Sequence, residues 1–247
     1  FEILTEGLAW PKDAQGTSRL LIALAEQKNN IEDIVPLTEL KKIAIKQRIA
    51  KLVELGLVDR NGNSYYLKDK LFRYWIKYVL KRRLHLIGLD LRDEKVKFRE
   101  ELAQAINSFQ NACQKNLSLR IVELLTCFDD DMFSFHGHRY PLPSFQKFKS
   151  SRVCLSPETQ IDVIKAYSSD GLWVIILNEQ NLSENDVNAF LHEIKKTGQR
   201  MQKQVIISLR NLESSARLKA LQEKMWIWNE GELNFLLNMY DQPYIVK

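Results

Sequence analysis

The sequence predicts an α/β protein overall, with an N-terminal winged helix-turn-helix domain and a C-terminal three-layer α/β domain. Three observations carry this expectation. Helical periodicity recurs three times between Thr17 and Gly56 and is followed at once by an Asn-Gly hairpin signal. Beyond Asn111 the pattern changes to strands alternating with amphipathic helices. The basic excess is confined to the first part: residues 1–110 hold 20 Lys+Arg against 15 Asp+Glu, and residues 111–247 hold 16 against 16.

The elements follow in order. Asp13-Ala14-Gln15-Gly16-Thr17 reads as a loop ending in a hydroxyl cap, and Leu20, Leu21, Ala23, Leu24 and Ala25 mark a first helix that Asn29-Asn30 breaks. A second helix, Ile31 to Val35, is expected to end before Pro36, because proline disfavours helical backbone in the residue ahead of it. The third helix presents Ile43, Ile49, Leu52 and Val53 on one side and stops at Gly56, a glycine placed to adopt positive φ. Leu57 to Arg60 and Ser64 to Leu67 then flank Asn61-Gly62-Asn63, a hairpin. Phe72, Trp75, Ile76 and Val79 recur at i, i+3, i+4 and i+7, a helix packing an aromatic stripe into the core. A charged helix from Glu94 to Gln110 reads as a connector.

Downstream, a helix Leu117 to Cys127 leads through Asp129-Asp130-Asp131 to a strand at Met132 to His136 and a loop marked by Pro141 and Pro143. Strands Gln160–Tyr167 and Leu172–Leu177 are followed by helix Glu184–Thr197, strand Lys203–Ser208, helix Glu213–Lys224, strand Met225–Trp228 and helix Glu230–Tyr240. The expected domains are residues 1–83, a helical connector 84–110, and residues 111–247.

Composition narrows the classes. An apolar fraction of 45% with 9 Gly and 6 Pro in 247 residues excludes disordered and fibrous chains. No run of eighteen apolar residues occurs, so no membrane partner is expected. The chain starts at Phe1 without a signal-peptide pattern, and it reads as a piece of a longer polypeptide. Cys113, Cys127 and Cys154 are odd in number and widely spaced, which fits reduced, mostly buried thiols in a cytoplasmic protein.

Charge points to the third helix. Between Lys41 and Arg83 there are 13 basic against 3 acidic residues, a local charge of +10 within a chain of net +5. A field that concentrated attracts polyanions, although a solvated helix face accounts for the same count. Lys41, Lys42, Lys46, Gln47, Arg48 and Lys51 lie around the polar side of this helix, with Arg60, Asn61 and Asn63 on the hairpin. In a winged helix-turn-helix the helix enters the major groove while hairpin residues reach phosphates. Gln47 and Arg48 can also bond base edges, yet four lysines against two such readers favour backbone binding to DNA, or RNA. The competing expectation is a lid or docking module that touches a partner protein and no nucleic acid.

Two stretches resemble a known family. Leu52-Val53-Glu54-Leu55-Gly56-Leu57-Val58-Asp59-Arg60 and Leu67-Lys68-Asp69-Lys70-Leu71-Phe72-Arg73-Tyr74-Trp75-Ile76-Lys77-Tyr78-Val79 resemble the C-terminal region of archaeal-type AAA+/STAND ATPases, in which a winged helix follows the nucleotide-binding module. The downstream half is similar to the restriction-endonuclease-like (PD-(D/E)xK) domain that ends many of them. That likeness rests on Gln160-Ile161-Asp162-Val163-Ile164, Leu172-Trp173-Val174-Ile175, Asp186-Val187, Phe190-Leu191, Ile206-Ile207-Ser208, Trp226-Ile227-Trp228-Asn229 and Leu233-Asn234.

The resemblance implies an Asp on one strand, matched by Asp162, and Glu-x-Lys on the next. Ile176 and Asn178 stand at those two positions, and Glu123 matches a helix glutamate of the family. Magnesium hydrolysis needs several oxygen ligands and a lysine to orient water. Glu179 is offered as a replacement carboxylate, but neighbouring strand residues face opposite sides, so this assignment turns it away. The expectation is a degenerate nuclease domain used for binding or assembly, with no cofactor in this part. The alternative is a Mg²⁺-dependent structure-specific nuclease using Glu123, Asp162 and Glu179.

No Gly-x-x-x-x-Gly-Lys-Ser/Thr occurs, so any ATPase module is expected upstream. His136-Gly137-His138 reads as a surface loop rather than a metal site, and no metal ligands are assigned. His85 and His192 stand alone on helices, and Trp226 and Trp228 read as core-closing aromatics.

Overall fold

The computed structural model describes residues 14–82, 91–135, 137–154, 160–178, 182–195, 201–210 and 212–245. The chain divides into two compact units, residues 1–106 with 132–134, and residues 107–131 with 135–247. Each is a mixture of helix and strand, and the chain is α/β overall. Among the described residues, no helix is long and apolar enough to cross a membrane.

The first unit opens with three helices, α1 (Ala14–Ala25), α2 (Ile31–Thr38) and α3 (Lys42–Glu54), followed by strands β1 (Val58–Asn61) and β2 (Ser64–Leu67). Helix α4 (Lys70–Trp75) continues as a π-helical turn over Ile76–Leu80, and α5 (Leu91–Gln114) carries the boundary between units. One apolar cluster holds the early elements together. It joins Leu20 and Leu24 of α1, Ile34 of α2, Ile45, Ile49 and Leu52 of α3, Val58 and Leu67 of the strands, and Phe72 and Ile76 after them.

Three details depart from expectation. Helix α2 does not stop at Pro36 but runs to Thr38 and ends with Glu39 in the left-handed region at φ 56°. Buried Ile34 and Thr38 lie one turn apart, and the Thr38 hydroxyl donates to the Ile34 carbonyl at 3.1 Å. That packing outweighs the proline's local preference. On α3 the apolar side is Ile45, Ile49 and Leu52, whereas Ile43 is 71% exposed and Val53 is exposed as well. At 100° per residue, Ile43 sits 200° from Ile45, on the opposite side of the helix. Finally, the stripe on α4 keeps Phe72 and Ile76 fully inside, but the widened turn breaks the 3.6-residue period before Val79.

Helix α3 ends as expected. Gly56 adopts φ +70°, its N–H donates to the Val53 carbonyl at 2.9 Å, and the Leu57 N–H reaches the Leu52 carbonyl at 3.0 Å. Those two bonds make a Schellman closure, satisfying carbonyls the helix leaves open. The hairpin that follows turns on two residues, Gly62-Asn63, with Asn61 paired to Ser64 inside the ladder. Beside it, the Tyr65 N–H donates to the Asn29 carbonyl at 2.9 Å, which lays the α1–α2 connection along β2.

The second unit is built on a five-stranded sheet in the order β5–β6–β7–β8–β9, formed by Phe145–Cys154, Gln160–Ser168, Leu172–Asn178, Met201–Ser208 and Trp226–Trp228. The first two pairings are antiparallel and the last two parallel. Helix α6 (Leu117–Thr126) precedes a small hairpin of β3 (Asp131–Phe135) and β4 (His138–Leu142). Helices α7 (Glu184–Lys195) and α8 (Ser214–Gln222) connect the parallel strands, and α9 (Glu230–Met239) follows β9. Leu172, Val174 and Ile176 of β7 pack with Val187, Phe190 and Leu191 of α7 and Ala216 and Ala220 of α8. Trp173 turns to the other face, where it meets Phe145 at 5.3 Å and Trp226 at 5.1 Å between ring centroids. With both faces covered, β7 is buried along its whole length, the pattern of a central strand.

The expected loop around Pro141 is instead strand β4, and β5 is an additional strand of ten residues. The thiols also differ from expectation. Cys113 and Cys154 are exposed, while Cys127 is half-buried, donates to the Glu123 carbonyl at 3.3 Å, and has its pKa pushed up by burial.

Candidate functional site

The basic face of the first unit is built by α3 and the hairpin tip. With Ile45, Ile49 and Leu52 turned inward, the outward crest of α3 carries Ile43, Gln47, Ala50 and, at its C-terminal end, Glu54, flanked by Lys46 on one side and Lys51 on the other. Lys41 stands at the N-cap with its side chain in solvent. The side chains of Lys41 and Lys46 have no ion pair or hydrogen bond among the described residues. Lys42 is exposed but paired with Glu32. Arg48 lies nearer the core and donates from Nε to the Thr17 hydroxyl at 3.3 Å, so it supports the α1–α3 packing as well as the surface. The crest is therefore less cationic than the sequence implies, with an isoleucine and a glutamine at its centre.

At the hairpin tip, Arg60 and Asn63 are exposed. Arg60 Nε donates to the Gly62 carbonyl at 3.0 Å and its guanidinium lies 5.7 Å from the Tyr65 ring centroid, which fixes its direction. Asn61 does not belong to this surface. It is 5% exposed, its amide donates to the Ser134 carbonyl at 2.8 Å, and its carbonyl accepts from the Ser134 N–H at 2.6 Å. Both ends of the amide are committed, so Asn61 is a positioning residue for the hairpin and not a phosphate contact.

In the second unit, Asp162 lies on β6 at the wall of a cleft of about 280 Å³ that is also lined by Ser118, Arg152, Gln160, Leu177 and Asn178. Asp162 Oδ1 accepts from Arg152 Nε at 2.9 Å and Oδ2 accepts from the Ser118 hydroxyl at 2.7 Å. Arg152 is the direct cross-strand partner of Asp162 on β5. Burial pushes the carboxyl pKa up, but the Ser118 and Arg152 hydrogen bonds and the Arg152 charge outweigh it and hold the group below the usual carboxylate range. The same contact raises Arg152. A carboxylate held this way stays ionised and has both oxygens occupied.

The strand register corrects the motif assignment. Asp162 pairs with Leu177, and Val163 pairs with Ile176. Paired residues share a face, so the position beside Asp162 belongs to Leu177, while Ile176 points into the α7–α8 core. The one-residue slip moves every side chain of the expected motif to the other face. Glu179, two residues beyond Leu177, lies outside the described residues. Glu123 does not reach the cleft: its carboxylate meets Lys115 Nζ at 2.5 Å, and Ser118 is the α6 residue that faces Asp162.

Among the described residues, no group of three or more His, Cys, Asp or Glu could hold a metal ion. One carboxylate with both oxygens bonded to chain donors does not fit Mg²⁺, which needs several open oxygen ligands. His138 is exposed on β4, His192 is exposed on α7, and His136 and His85 lie outside the described residues. Arg152 and Ser118 were not singled out from sequence. The β5–β6 register brings Arg152 to Asp162 and the placement of α6 brings Ser118, and no local pattern reveals either.

No protein-family model matches the chain, and no curated protein matches it. Among solved structures, the crystal structure of protein VC1899 from Vibrio cholerae matches at 11% identity with a TM-score of 0.32, covering 96% of this chain. The chain spans 53% of that protein's length.

Proposed function

We propose that the chain binds DNA backbone through its first unit, a winged helix, and that its second unit is a restriction-endonuclease-like domain used for binding or assembly rather than hydrolysis. In this reading the chain is the C-terminal part of an ATPase-type protein. The carrying observation is the order α1–α2–α3–hairpin with Lys41, Lys46 and Gln47 all exposed on α3. The contact between β2 and the α1–α2 connection supports it, as does the fixed, exposed guanidinium of Arg60 at the tip. Lysines on both flanks of α3 suit the two phosphate walls of a groove, and Gln47 at the crest is the side chain placed to meet base edges. In the second unit the run β5–β6–β7–α7–β8, preceded by α6 and the β3–β4 hairpin, supports the nuclease-like reading, and the Asp162–Arg152 pair supports loss of hydrolysis.

The test is duplex binding followed by fluorescence anisotropy across salt concentrations. Each phosphate contact contributes about −0.9 to the slope of log K against log salt. Replacing Lys46 with Gln is expected to reduce the slope by about one and weaken binding to all sequences alike. Absence of binding at low salt, or a slope indifferent to Lys41 and Lys46, overturns the reading. In that case the exposed Ile43 crest becomes the better guide, and it fits a protein partner.

A further inference from the structure

Residues 111–247 have equal numbers of acidic and basic side chains, which conceals a local cluster. On the β5–β6 ladder, Lys149 lies directly opposite Lys165, and Lys147 lies opposite Tyr167. Side chains two apart on a strand share a face, so all four belong to one side of the sheet. It is the side on which Val174, the partner of Lys165 on β7, packs under α7 and α8. Helices cover β7 and β8 there, while Lys147 and Lys149 are exposed and Lys165 and Tyr167 are half-buried at the margin.

Side chains directly opposite across a ladder have Cβ atoms about 5 Å apart, and like charges there are destabilising. Beyond the backbone ladder, no ion pair or hydrogen bond links the ammonium groups of Lys147, Lys149 or Lys165 to another described residue. A protective role for edge-strand lysines accounts for Lys147 and Lys149, since β5 is an edge and lysines discourage stray strand pairing. It does not account for Lys165. That residue sits on the inner strand, half-buried beside an apolar neighbour, and faces a like charge.

We propose that this face binds single-stranded nucleic acid, with Lys147 and Lys149 against phosphates two nucleotides apart, Lys165 beside Lys149, and the exposed side of the Tyr167 ring under a base. At about 3.4 Å per residue, Lys147 and Lys149 stand about 6.8 Å apart along β5, the rise of two stacked nucleotides of one strand. Tyr167 packs on one side against the α7–α8 cluster, and an aromatic ring beside cations at an uncovered margin is the kind of arrangement with which proteins hold a single strand without reading its sequence. A flat pleated face has no element to enter a duplex groove, which favours a single strand. The site lies wholly in the second unit and is independent of the α3 surface.

The experiment uses the full chain and two fluorescent 12-mers, oligo(dT) and oligo(U), alongside a duplex. The triple variant Lys147→Gln, Lys149→Gln, Lys165→Gln is expected to bind both single strands about tenfold more weakly at 50 mM salt. Its slope should fall by about two, at about 0.7 per phosphate. The double variant Lys41→Gln, Lys46→Gln is expected to keep single-strand binding and lose duplex binding, so the two sites fail separately. Bromouracil-substituted oligonucleotide, photo-cross-linked to the unsubstituted protein, should label the peptide containing Tyr167. Cross-links confined to other segments, or a folded triple variant with undiminished single-strand affinity, overturn the proposal. Loss with oligo(dT) alone assigns the site to DNA, and loss with oligo(U) alone assigns it to RNA.

Discussion

Gly56→Ala and Gly62→Ala form a matched pair that tests how the hairpin is held. Both glycines have positive φ, +70° and +57°, so alanine at either meets the backbone cost of the left-handed region, about 1 kcal/mol. At Gly56 an added Cβ meets nothing within 4 Å, and the cost ends there. At Gly62 the same atom falls 2.2 Å from the Met132 carbonyl oxygen. Relief even to the 3.0 Å limit of real Cβ contacts requires the backbone to give way by about 0.8 Å. A shift of that size, spread over the turn, strains both neighbouring Asn61–Ser134 bonds, at 2.8 and 2.6 Å. Losing them adds about 1 kcal/mol each. Gly62→Ala is therefore expected to cost about 3 kcal/mol against about 1 for Gly56→Ala. In urea, at a slope of about 2 kcal/mol per molar, the midpoints for the first unit should differ by about 1 M. Equal midpoints for the two variants would mean that Asn61 and Ser134 contribute nothing to hairpin placement, and the positioning role assigned to Asn61 would fall with them.

Further outcomes follow from individual contacts. Ile176→Glu places a carboxylate in the α7–α8 core and should unfold the second unit, whereas Leu177→Glu, also buried but at the wall of the cleft beside Arg152, should cost measurably less; thermal melts of the two variants check the register. Asn229 caps α9 by accepting from the Gly231 and Glu232 N–H groups, and Glu232 returns the bond to the Asn229 N–H, so Asn229→Ala should cost about 1 kcal/mol by urea titration. Asp162 has a depressed pKa in the folded chain, so its stabilisation is present above the ordinary carboxylate range and is lost as pH falls through the lower folded value. Asp162→Asn should flatten that acid limb in pH-dependent melts. The effect should be small and salt-sensitive, because the carboxyl is 36% exposed; an unchanged limb argues that the Arg152 contact does not persist in solution.

Much of the fold was legible because its signals are local. The run Leu172-Trp173-Val174-Ile175-Ile176-Leu177 has no polar interruption and gives β7, a strand buried on both faces. The glycine stop of α3, the hairpin around Gly62 (though it turns on Gly62-Asn63 and not on Asn61-Gly62) and the alternation from α7 to α9 are likewise written in neighbouring residues. Strand β5 was not legible, since Phe145, Phe148 and Val153 do not alternate and most of its other residues are exposed along an edge. The candidate cleft was half legible. Asp162 could be picked out by type and context, but its partners are fixed by cross-strand register, which hydrophobic pattern specifies only collectively. The orientation of α3 failed for a related reason: Ile43 and Val53 are apolar, and only packing reveals that the helix turns them outward.

Charge balance at Asp162 ties the cleft's features together. A carboxylate on a sheet face requires a counter-charge, and where a metal ion supplies it, neighbouring acids are needed to complete the ligand set. Here Arg152 supplies the positive charge from the adjacent strand and Leu177 supplies no negative one, so the pair sums to zero. A glutamate at 177 beside the same Asp162 would leave one guanidinium facing two carboxylates, and a neutral residue at 152 would leave Asp162 with the Ser118 hydroxyl alone. The guanidinium and the leucine are thus mutually consistent in a way neither is with a metal centre. A metal centre in this cleft would require changing both positions together.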